Sequence, residues 1–310
     1  MIKKVIVAAL MLISSQEMLA LKIEGNLIKD NHGNSIEIKE YNKLIVLDPA
    51  VVETIYLLGG EDKIAAIGKT AMSKIYPEEK TKDLESVGNI AKPSLEKILS
   101  YTPDLVILNG MSTKTGETLQ SLKIPYLITG ASNIEEILDN IKAYGEIVGK
   151  KSESEKLYNE SVAKVEELKE RVKDKPLGLK GTVLYSVSPM MGFNSKTLPG
   201  EVLELLGVEN ITNELTGERP IISQEFLLKE NPDFLAGAMS IKSTDDIKNS
   251  NPAIKEIKAG QKDNIFIVDS NKILRGSPRI FELVEEFYEE LLKVKNKEEK
   301  DYNSSTVASQ

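Results

Sequence analysis

The sequence has no cysteine, no tryptophan and a single histidine, His32. The absence of cysteine excludes disulfide bonds, thiol catalysis, thiolate metal sites and lipid attachment to an N-terminal cysteine. With one imidazole in the chain, a metal site built from several histidines is impossible, and any serine-histidine enzyme would have to use His32. A free divalent ion held only by protein side chains is therefore not expected.

The sequence also lacks a basic block and, after its first twenty residues, any long apolar run. Its 40 basic and 48 acidic residues give a net charge of -8, which argues against nucleic acid as the main partner. No later stretch approaches the roughly 18 apolar residues that a membrane helix needs. Hydrophobic residues make up 41% of the 310 residues, enough to bury a sizeable core, and the length suits two domains or one large one.

Residues 1–20 have the pattern of a secretory signal peptide. Lys3 and Lys4 precede an apolar run from Val5 to Ile13, and the segment ends at the small residue Ala20. We expect cleavage after Ala20 and a mature protein that is exported to the periplasm. Because there is no cysteine to carry a lipid, we expect it not to be lipid-anchored and not to insert into the membrane.

The rest of the chain reads as two α/β lobes. Residues 21–40 alternate apolar and polar side chains around a polar turn, which predicts a β-hairpin. We interpret His32 as a solvated residue of that turn, with a ligand-binding role as the alternative. Short apolar strands then alternate with helices, which favours Rossmann-like lobes with parallel central sheets. The predicted units are an N-terminal lobe at 21–150, a single long linking helix at 151–175, a C-terminal lobe at 176–294 and a disordered tail at 295–310.

The two lobes share a local sequence repeat. Residues 94–105 read SLEKILSYTPDL, and residues 223–234 read SQEFLLKENPDF in the same register. In each copy a serine can cap a short helix, and Pro-Asp ends that helix before an apolar strand. Glu96 and Glu225 occupy equivalent first-turn positions, where an acidic residue favours the helix dipole but could also meet a partner with two equivalent basic sites.

The order and spacing of several segments identify the chain as similar to a known family. In the N-terminal lobe these segments are KLIVLDPAVVETIYLLGGEDKIAAIG and VGNIAKPSLEKILSYTPDLVIL, and in the C-terminal lobe PGEVLELLGVENI and RPIISQEFLLKENPDFL. The chain resembles the substrate-binding proteins of ABC importers for iron-siderophore, heme and cobalamin complexes. The resemblance implies two lobes joined by one helix, a ligand cleft between them, and docking on permease arginines through Glu96 and Glu225.

Ligands of such folds bind at loops that follow the carboxyl ends of the strands. Those loops contain every methionine after residue 20, which is equally consistent with core packing. Three aromatic residues and two arginines suited to carboxylates lie in these loops or near the predicted cleft. The candidate ligand-binding residues are Met72, Tyr76, Met111, Tyr185, Met190, Met191, Phe193, Arg219, Met239 and Arg275.

A ferric siderophore or another metal chelate is the favoured ligand. As we read the family, its heme-binding members often carry a tyrosine where this sequence has Asn89, and its cobalamin-binding members usually bring a tryptophan to the cleft. No histidine is expected in the cleft either, so heme and cobalamin are the alternatives. We expect no intrinsic cofactor, no metal site of the protein's own, and a monomer whose partners are the chelate and a membrane permease.

Enzymatic motifs are missing as well. The sequence has no Gly-rich phosphate loop, no GxSxG and no HExxH motif. We therefore expect a binding protein without catalysis. An exported α/β enzyme and a structural or adhesive exported protein are the alternatives from other classes.

Overall fold

The computed structural model describes residues 20–70 and 74–308, with side chains as far as residue 297. The predicted signal peptide, apart from Ala20, lies outside the described residues. The described chain opens with an antiparallel sheet in the order β1 (Lys22–Glu24), β2 (Leu27–Lys29) and β3 (Ser35–Glu37). The predicted hairpin is thus a three-stranded meander. Its polar turn lies between β2 and β3, and Gly25, with a φ of 61°, allows the tight turn that adds β1.

The N-terminal lobe is a five-stranded parallel sheet in the order β6-β5-β4-β7-β8. Its central strand β4 is wholly apolar and its neighbours β5 and β7 are apolar until their last residues, as expected where helices cover both faces, and a buried cluster lies on each side. The strands are β4 (Leu44–Val46), β5 (Ile64–Lys69), β6 (Ser86–Asn89), β7 (Leu105–Asn109) and β8 (Tyr126–Thr129). The helices are α1 (Pro49–Leu58), α2 (Glu78–Thr81), α3 (Leu95–Ser100), α4 (Thr113–Ser121) and α5 (Ile134–Ile147).

The long helix α6 (Lys151–Asp174) leads to the C-terminal lobe, whose central sheet has the order β10-β9-β12-β13. We predicted a parallel sheet here, but the sheet is mixed. Strand β10 runs antiparallel to β9, because the chain reverses at Ser188 and Pro189. The strands are β9 (Lys180–Val187), β10 (Met190–Gly192), β11 (Glu209–Asn210), β12 (Phe234–Gly237) and β13 (Ile265–Ile267). The helices are α7 (Leu198–Leu205), α8 (Gln224–Glu230), α9 (Thr244–Lys248), α10 (Lys258–Gln261), α11 (Ser270–Ile273) and α12 (Ile280–Ala308).

The last helix is longer than the sequence suggested. We expected it to end near Val294 and to leave a disordered tail, whereas α12 continues to Ala308. The segment from Ile280 to Ala308 contains no glycine or proline, so nothing in it breaks the helix, and Lys293 pairs with Glu290 one turn earlier at 2.9 Å. Among the described helices, α12 included, none is long and apolar enough to cross a membrane.

The sequence repeat is a structural repeat. Ser94 caps α3 by accepting the Lys97 N–H at 3.2 Å, and Ser223 caps α8 by accepting the Phe226 N–H at 3.1 Å. The aspartates of the two Pro-Asp pairs make equivalent hydrogen bonds. Asp104 accepts the N–H of Lys43 at 3.0 Å, and Asp233 accepts that of Lys180 at 2.8 Å. Each aspartate therefore ties its own strand to the start of the neighbouring strand, β4 or β9.

A buried carboxylate joins the two lobes. Glu53, in the middle of α1, has a fully buried side chain and pairs with Arg275 of the C-terminal lobe. Its second carboxylate oxygen, Oε2, accepts the Ser277 hydroxyl at 2.8 Å. The Arg279 guanidinium lies 3.6 Å from the first oxygen, Oε1. Arg275 also donates to the backbone carbonyl of Lys74 at 2.7 Å. A charge with no exposed surface is tolerated only when it is paired and hydrogen-bonded in this way.

A second contact between the lobes lies at the start of α5. Glu201 of α7 accepts the N–H of Ile134 at 2.8 Å, in the first turn of α5, where backbone donors have no partner within the helix. Burial raises the pKa of Glu201 above its usual range, while that hydrogen bond opposes the shift. Ile134 and Ile137 also join the apolar cluster of the C-terminal lobe, so the helix before α6 contacts both lobes.

Removing the Glu53 carboxylate should destabilise the protein strongly. Glu53→Ala leaves Arg275 and Arg279 facing a buried space without their counter-charge, and we expect a loss of about 3–5 kcal/mol in the free energy of unfolding by urea. Glu78→Ala is the matched control. Glu78 pairs with Lys74 at 2.9 Å at the surface, where such pairs contribute about 0–1 kcal/mol. Equal small losses for both variants would show that the buried bridge does not hold the lobes.

Candidate ligand-binding cleft

The N-terminal side of the cleft forms where the strand order of the lobe reverses. β4 and β7 are neighbours in the sheet, and the chain leaves them in opposite directions, which opens a crevice at their carboxyl ends. Asp48 follows β4, and Asn109 is the last residue of β7. The Asn109 side-chain amide donates a hydrogen bond to the Asp48 carboxylate at 2.7 Å. Asp48 also caps α1 through the N–H of Ala50 at 2.8 Å. Burial raises the pKa of the Asp48 carboxyl, and these two hydrogen bonds oppose that shift.

The larger cavity of the cleft lies over this crevice and has a volume of about 710 Å³. That volume falls within the roughly 300–1,000 Å³ of ordinary small-molecule sites. Both lobes contribute to its wall. The N-terminal part supplies Asn31, His32, Asp48, Thr70, Asn109, Met111 and Ala131, and the C-terminal lobe supplies Met239, Ser240, Lys242, Asn271, Leu274 and Arg275, among others.

His32 lies at this cavity, contrary to the sequence prediction. His32 is exposed in its turn, as we expected, but we expected no histidine in the cleft, whereas the β2–β3 turn reaches the cavity wall with Asn31 and His32. The turn is placed there by Asp30, which is 7% exposed. Asp30 accepts the N–H of Ile128 in β8 at 2.8 Å, so the meander is fixed against the edge of the central sheet. This contact joins residues 98 positions apart, and no local sequence pattern reports it.

A smaller cavity of about 510 Å³ adjoins the first on the C-terminal lobe. Tyr185 and Phe193 lie at its wall, with ring centroids 5.6 Å apart and planes at 88°. Phe193 is only 4% exposed and packs mainly in the core of the lobe, so most of the exposed aromatic surface belongs to Tyr185. The guanidinium of Arg219 lies over the Tyr185 ring at 5.1 Å from its centroid. The three predicted residues are thus brought together. A planar guanidinium beside two rings suits a ligand that has both a flat face and carboxylates.

Met239 connects the two cavities. It follows β12, is 41% exposed and lines both cavities, as Ala131 and Leu274 also do. Its φ of 56° is in the left-handed region that non-glycine residues rarely adopt. The N–H of Met239 donates to the Ser270 hydroxyl at 2.8 Å, which helps to hold this conformation. Met111, on the opposite lobe, is 64% exposed at the wall of the larger cavity.

The remaining predicted residues are placed differently. Met190 is 6% exposed within an apolar cluster because alternation along β10 turns it inward, which corrects the expectation that it lines the cleft. Met191, the next residue, and Tyr76 line neither cavity, and the Tyr76 ring packs under Arg279 at 4.2 Å. Arg275 does line the larger cavity, although its guanidinium is paired with Glu53. Met72 lies outside the described residues.

Basic side chains outnumber acidic ones around the two cavities. The charged lining residues are Lys196, Arg219, Lys242 and Arg275 on the basic side and Asp48 and Glu218 on the acidic side. Arg275 is already paired with Glu53, so the basic groups left to meet a ligand include Arg219 and Lys242, although the whole protein is acidic. An anionic ligand would be attracted to these groups.

Glu96 and Glu225 are exposed in the first turns of α3 and α8. The backbone N–H of Glu225 and the Ser223 hydroxyl hold the pKa of the Glu225 carboxyl below its usual range, so the group stays charged. One turn later, each helix exposes a leucine at the equivalent position of the repeat. Leu99 is 37% exposed and Leu228 is 41% exposed. The two lobes therefore present the same pair of an acid and an apolar side chain.

Within residues 20–70 and 74–297, whose side chains the structure describes, no three His, Asp or Glu side chains lie close enough together to hold a metal ion. The sequence profile of the periplasmic binding protein family matches residues 44–272. The vitamin B12-binding protein of Vibrio campbellii is 29% identical over 263 residues, which cover 82% of this chain and 91% of that protein. The Fe(3+) dicitrate-binding periplasmic protein FecB of Escherichia coli is 30% identical over 257 residues, or 79% and 82% of the two chains.

The fold also has solved counterparts. The periplasmic heme-binding protein RhuT from Roseiflexus sp. RS-1, in its apo form, superposes with a TM-score of 0.72. The alignment covers 82% of this chain and 99% of that protein at 20% identity. The two-lobed architecture is therefore shared with known proteins, independently of sequence similarity.

Two methionines provide a test of the cleft's boundaries. Met190→Ala removes a buried side chain, and we expect a loss of about 2–5 kcal/mol in the free energy of unfolding. Met111→Ala removes a largely exposed one and should change that free energy by no more than about 0.5 kcal/mol. Urea unfolding of both variants measures the difference. A larger loss of unfolding free energy for Met111→Ala than for Met190→Ala would show that we have assigned the cleft wall and the core wrongly.

Proposed function

The chain belongs to the periplasmic binding protein family, the substrate-binding proteins of ABC importers for iron-siderophore, heme and cobalamin complexes, and from that premise we propose its cargo and its docking sites. The cargo is a metal chelate of the ferric-siderophore type, which the protein carries in the cleft and delivers to the importer. The observation that supports this most directly is the pair of adjoining cavities that share Ala131, Met239 and Leu274.

The chemistry of the lining favours an anionic chelate. Arg219 and Lys242 can pair with carboxylates or other anionic groups of the ligand. Tyr185, Phe193 and the exposed methionines can contact a flat apolar face of the same ligand. The sequence has one histidine and no cysteine, so a metal would have to arrive with its own chelator. A relative named for binding ferric dicitrate carries a cargo of this anionic kind.

Heme or cobalamin is the second candidate. The vitamin B12-binding relative, 29% identical, supports it, and so does the cavity wall of methionine and aromatic side chains. In either case the protein binds and releases its cargo without chemical turnover. We propose that it acts as a monomer in the periplasm and that residues 1–20 direct its export.

Docking on the permease is assigned to Glu96 and Glu225. The support is the repeat itself, because both acidic side chains are exposed and set one turn before an exposed leucine. A permease surface with two basic side chains, each beside an apolar one, would complement both lobes at once. Helix capping does not require a glutamate at the matched position of both helices, because Ser94 and Ser223 already cap α3 and α8.

Native mass spectrometry of the purified protein should identify the cargo class. The panel contains several ferric siderophores, ferric dicitrate, hemin, cobalamin, and free ferric and nickel ions. We expect one-to-one retention of an anionic ferric chelate and no retention of the free ions. Retention of hemin or cobalamin alone would support the second candidate. A folded protein that retains no metal complex would overturn the proposed function.

The double variant Glu96→Ala/Glu225→Ala should separate docking from binding. We expect unchanged affinity for the cargo and a fall in uptake of at least about tenfold in cells that depend on this protein, since two ion pairs are removed. Glu79→Ala/Asp245→Ala is the matched control, because both residues are exposed in the first turn of short helices, one on each lobe. Equal uptake by the two double variants would refute the docking assignment.

A further inference from the structure

The β2–β3 turn brings the only imidazole of the chain to the wall of the ligand cavity. His32 is exposed at its tip and, with Asn31, lines the larger cavity together with residues of both lobes. The turn belongs to neither central sheet. It forms a third wall, supplied by the N-terminal meander, that the sequence pattern did not indicate as part of a site.

The turn is held firmly enough to position a ligand-binding side chain. One carboxylate oxygen of Asp30 accepts the N–H groups of His32 and Asn34, both at 2.9 Å. The other accepts the Asn34 side-chain amide and the Ile128 N–H, both at 2.8 Å. Hydrogen bonds to the one buried carboxylate of Asp30 thus connect the backbone of His32 to β8. A side chain on a fixed backbone loses less conformational freedom on binding than one on a loose loop.

Imidazole is also the strongest neutral donor for a transition metal around this cavity. Lys242 and Arg275 are cations and do not coordinate metals. Asp48 already accepts hydrogen bonds from Asn109 and from the backbone of Ala50. The thioethers of Met111 and Met239 are weaker, softer donors, whereas imidazole suits iron, cobalt, nickel and copper.

We propose that His32 binds the cargo directly, with an imidazole nitrogen taking a coordination position on the carried metal that the chelator leaves exchangeable. The step is a ligand substitution in which a metal–nitrogen bond forms, a water or another labile ligand leaves, and no electron is transferred. This inference rests on the proposed function and narrows it. The cargo is a chelate with at least one open position, such as ferric citrate or a metal macrocycle, and not a chelate whose six positions are all filled.

The test compares wild-type protein, His32→Ala and His32→Gln by calorimetry and visible absorption. The probes are hemin and a one-to-one ferric citrate complex, whose irons keep positions held by water or another labile ligand, and ferrioxamine, which has none. We expect the wild type to bind an open complex with a changed metal spectrum. Both variants should lose about tenfold or more in affinity together with that spectral change, and free imidazole should restore the spectrum of His32→Ala. Circular dichroism of all three proteins controls for folding.

Other outcomes are equally decisive. If His32→Ala binds the open complex with wild-type affinity and spectrum, the coordination role is wrong. If the wild type binds only ferrioxamine, the inference falls and the proposed function stands. If it binds none of the three probes or any other chelate of the panel, the proposed function falls and the inference with it. Asn34→Ala, on the same turn but outside the cavity lining, removes a side-chain hydrogen bond to Asp30 and distinguishes loss of the imidazole from general disturbance of the turn, because only His32 substitutions should change the metal spectrum.

Discussion

One fully buried carboxylate fixes how the two lobes face each other, and the cleft depends on that arrangement. Glu53 accepts from Arg275 and Ser277, which follow α11 on the other lobe, and from the backbone of Tyr76 at 3.1 Å. Arg275 in turn lines the larger cavity, so the group that ties the lobes also forms part of the binding surface. With α6 as a second, continuous connection, wide opening of the cleft would have to break a buried ion pair.

Local signals in the sequence predicted most of the architecture. Apolar runs indicated the strands, serines marked the starts of α3 and α8, and the glycine-free stretch after Ser152 indicated α6. The positions that the sequence did not reveal depend on long-range contacts. His32 reaches the cleft because Asp30 bonds Ile128, and Arg275 turns to Glu53, 222 residues away. Local patterning carries no information about such partners.

The methionines show the same limit within a single strand. Met190 and Met191 are adjacent, and only the register of β10 against β9 decides which of them points into the core. That register follows from the tight reversal at Ser188 and Pro189. Composition could therefore indicate a soft lining for the cleft, but not which sulfur atoms belong to it.

The internal repeat has a consequence for how the protein meets its importer. If a permease presents two equivalent sites related by a two-fold axis, a protein with the same acid and leucine on both lobes can land in either of two orientations, half a turn apart. Two productive orientations double the fraction of encounters that succeed, a statistical gain of about 0.4 kcal/mol from RT ln 2. The lobes differ at the next position, Lys97 against Phe226, so the two orientations are similar without being identical.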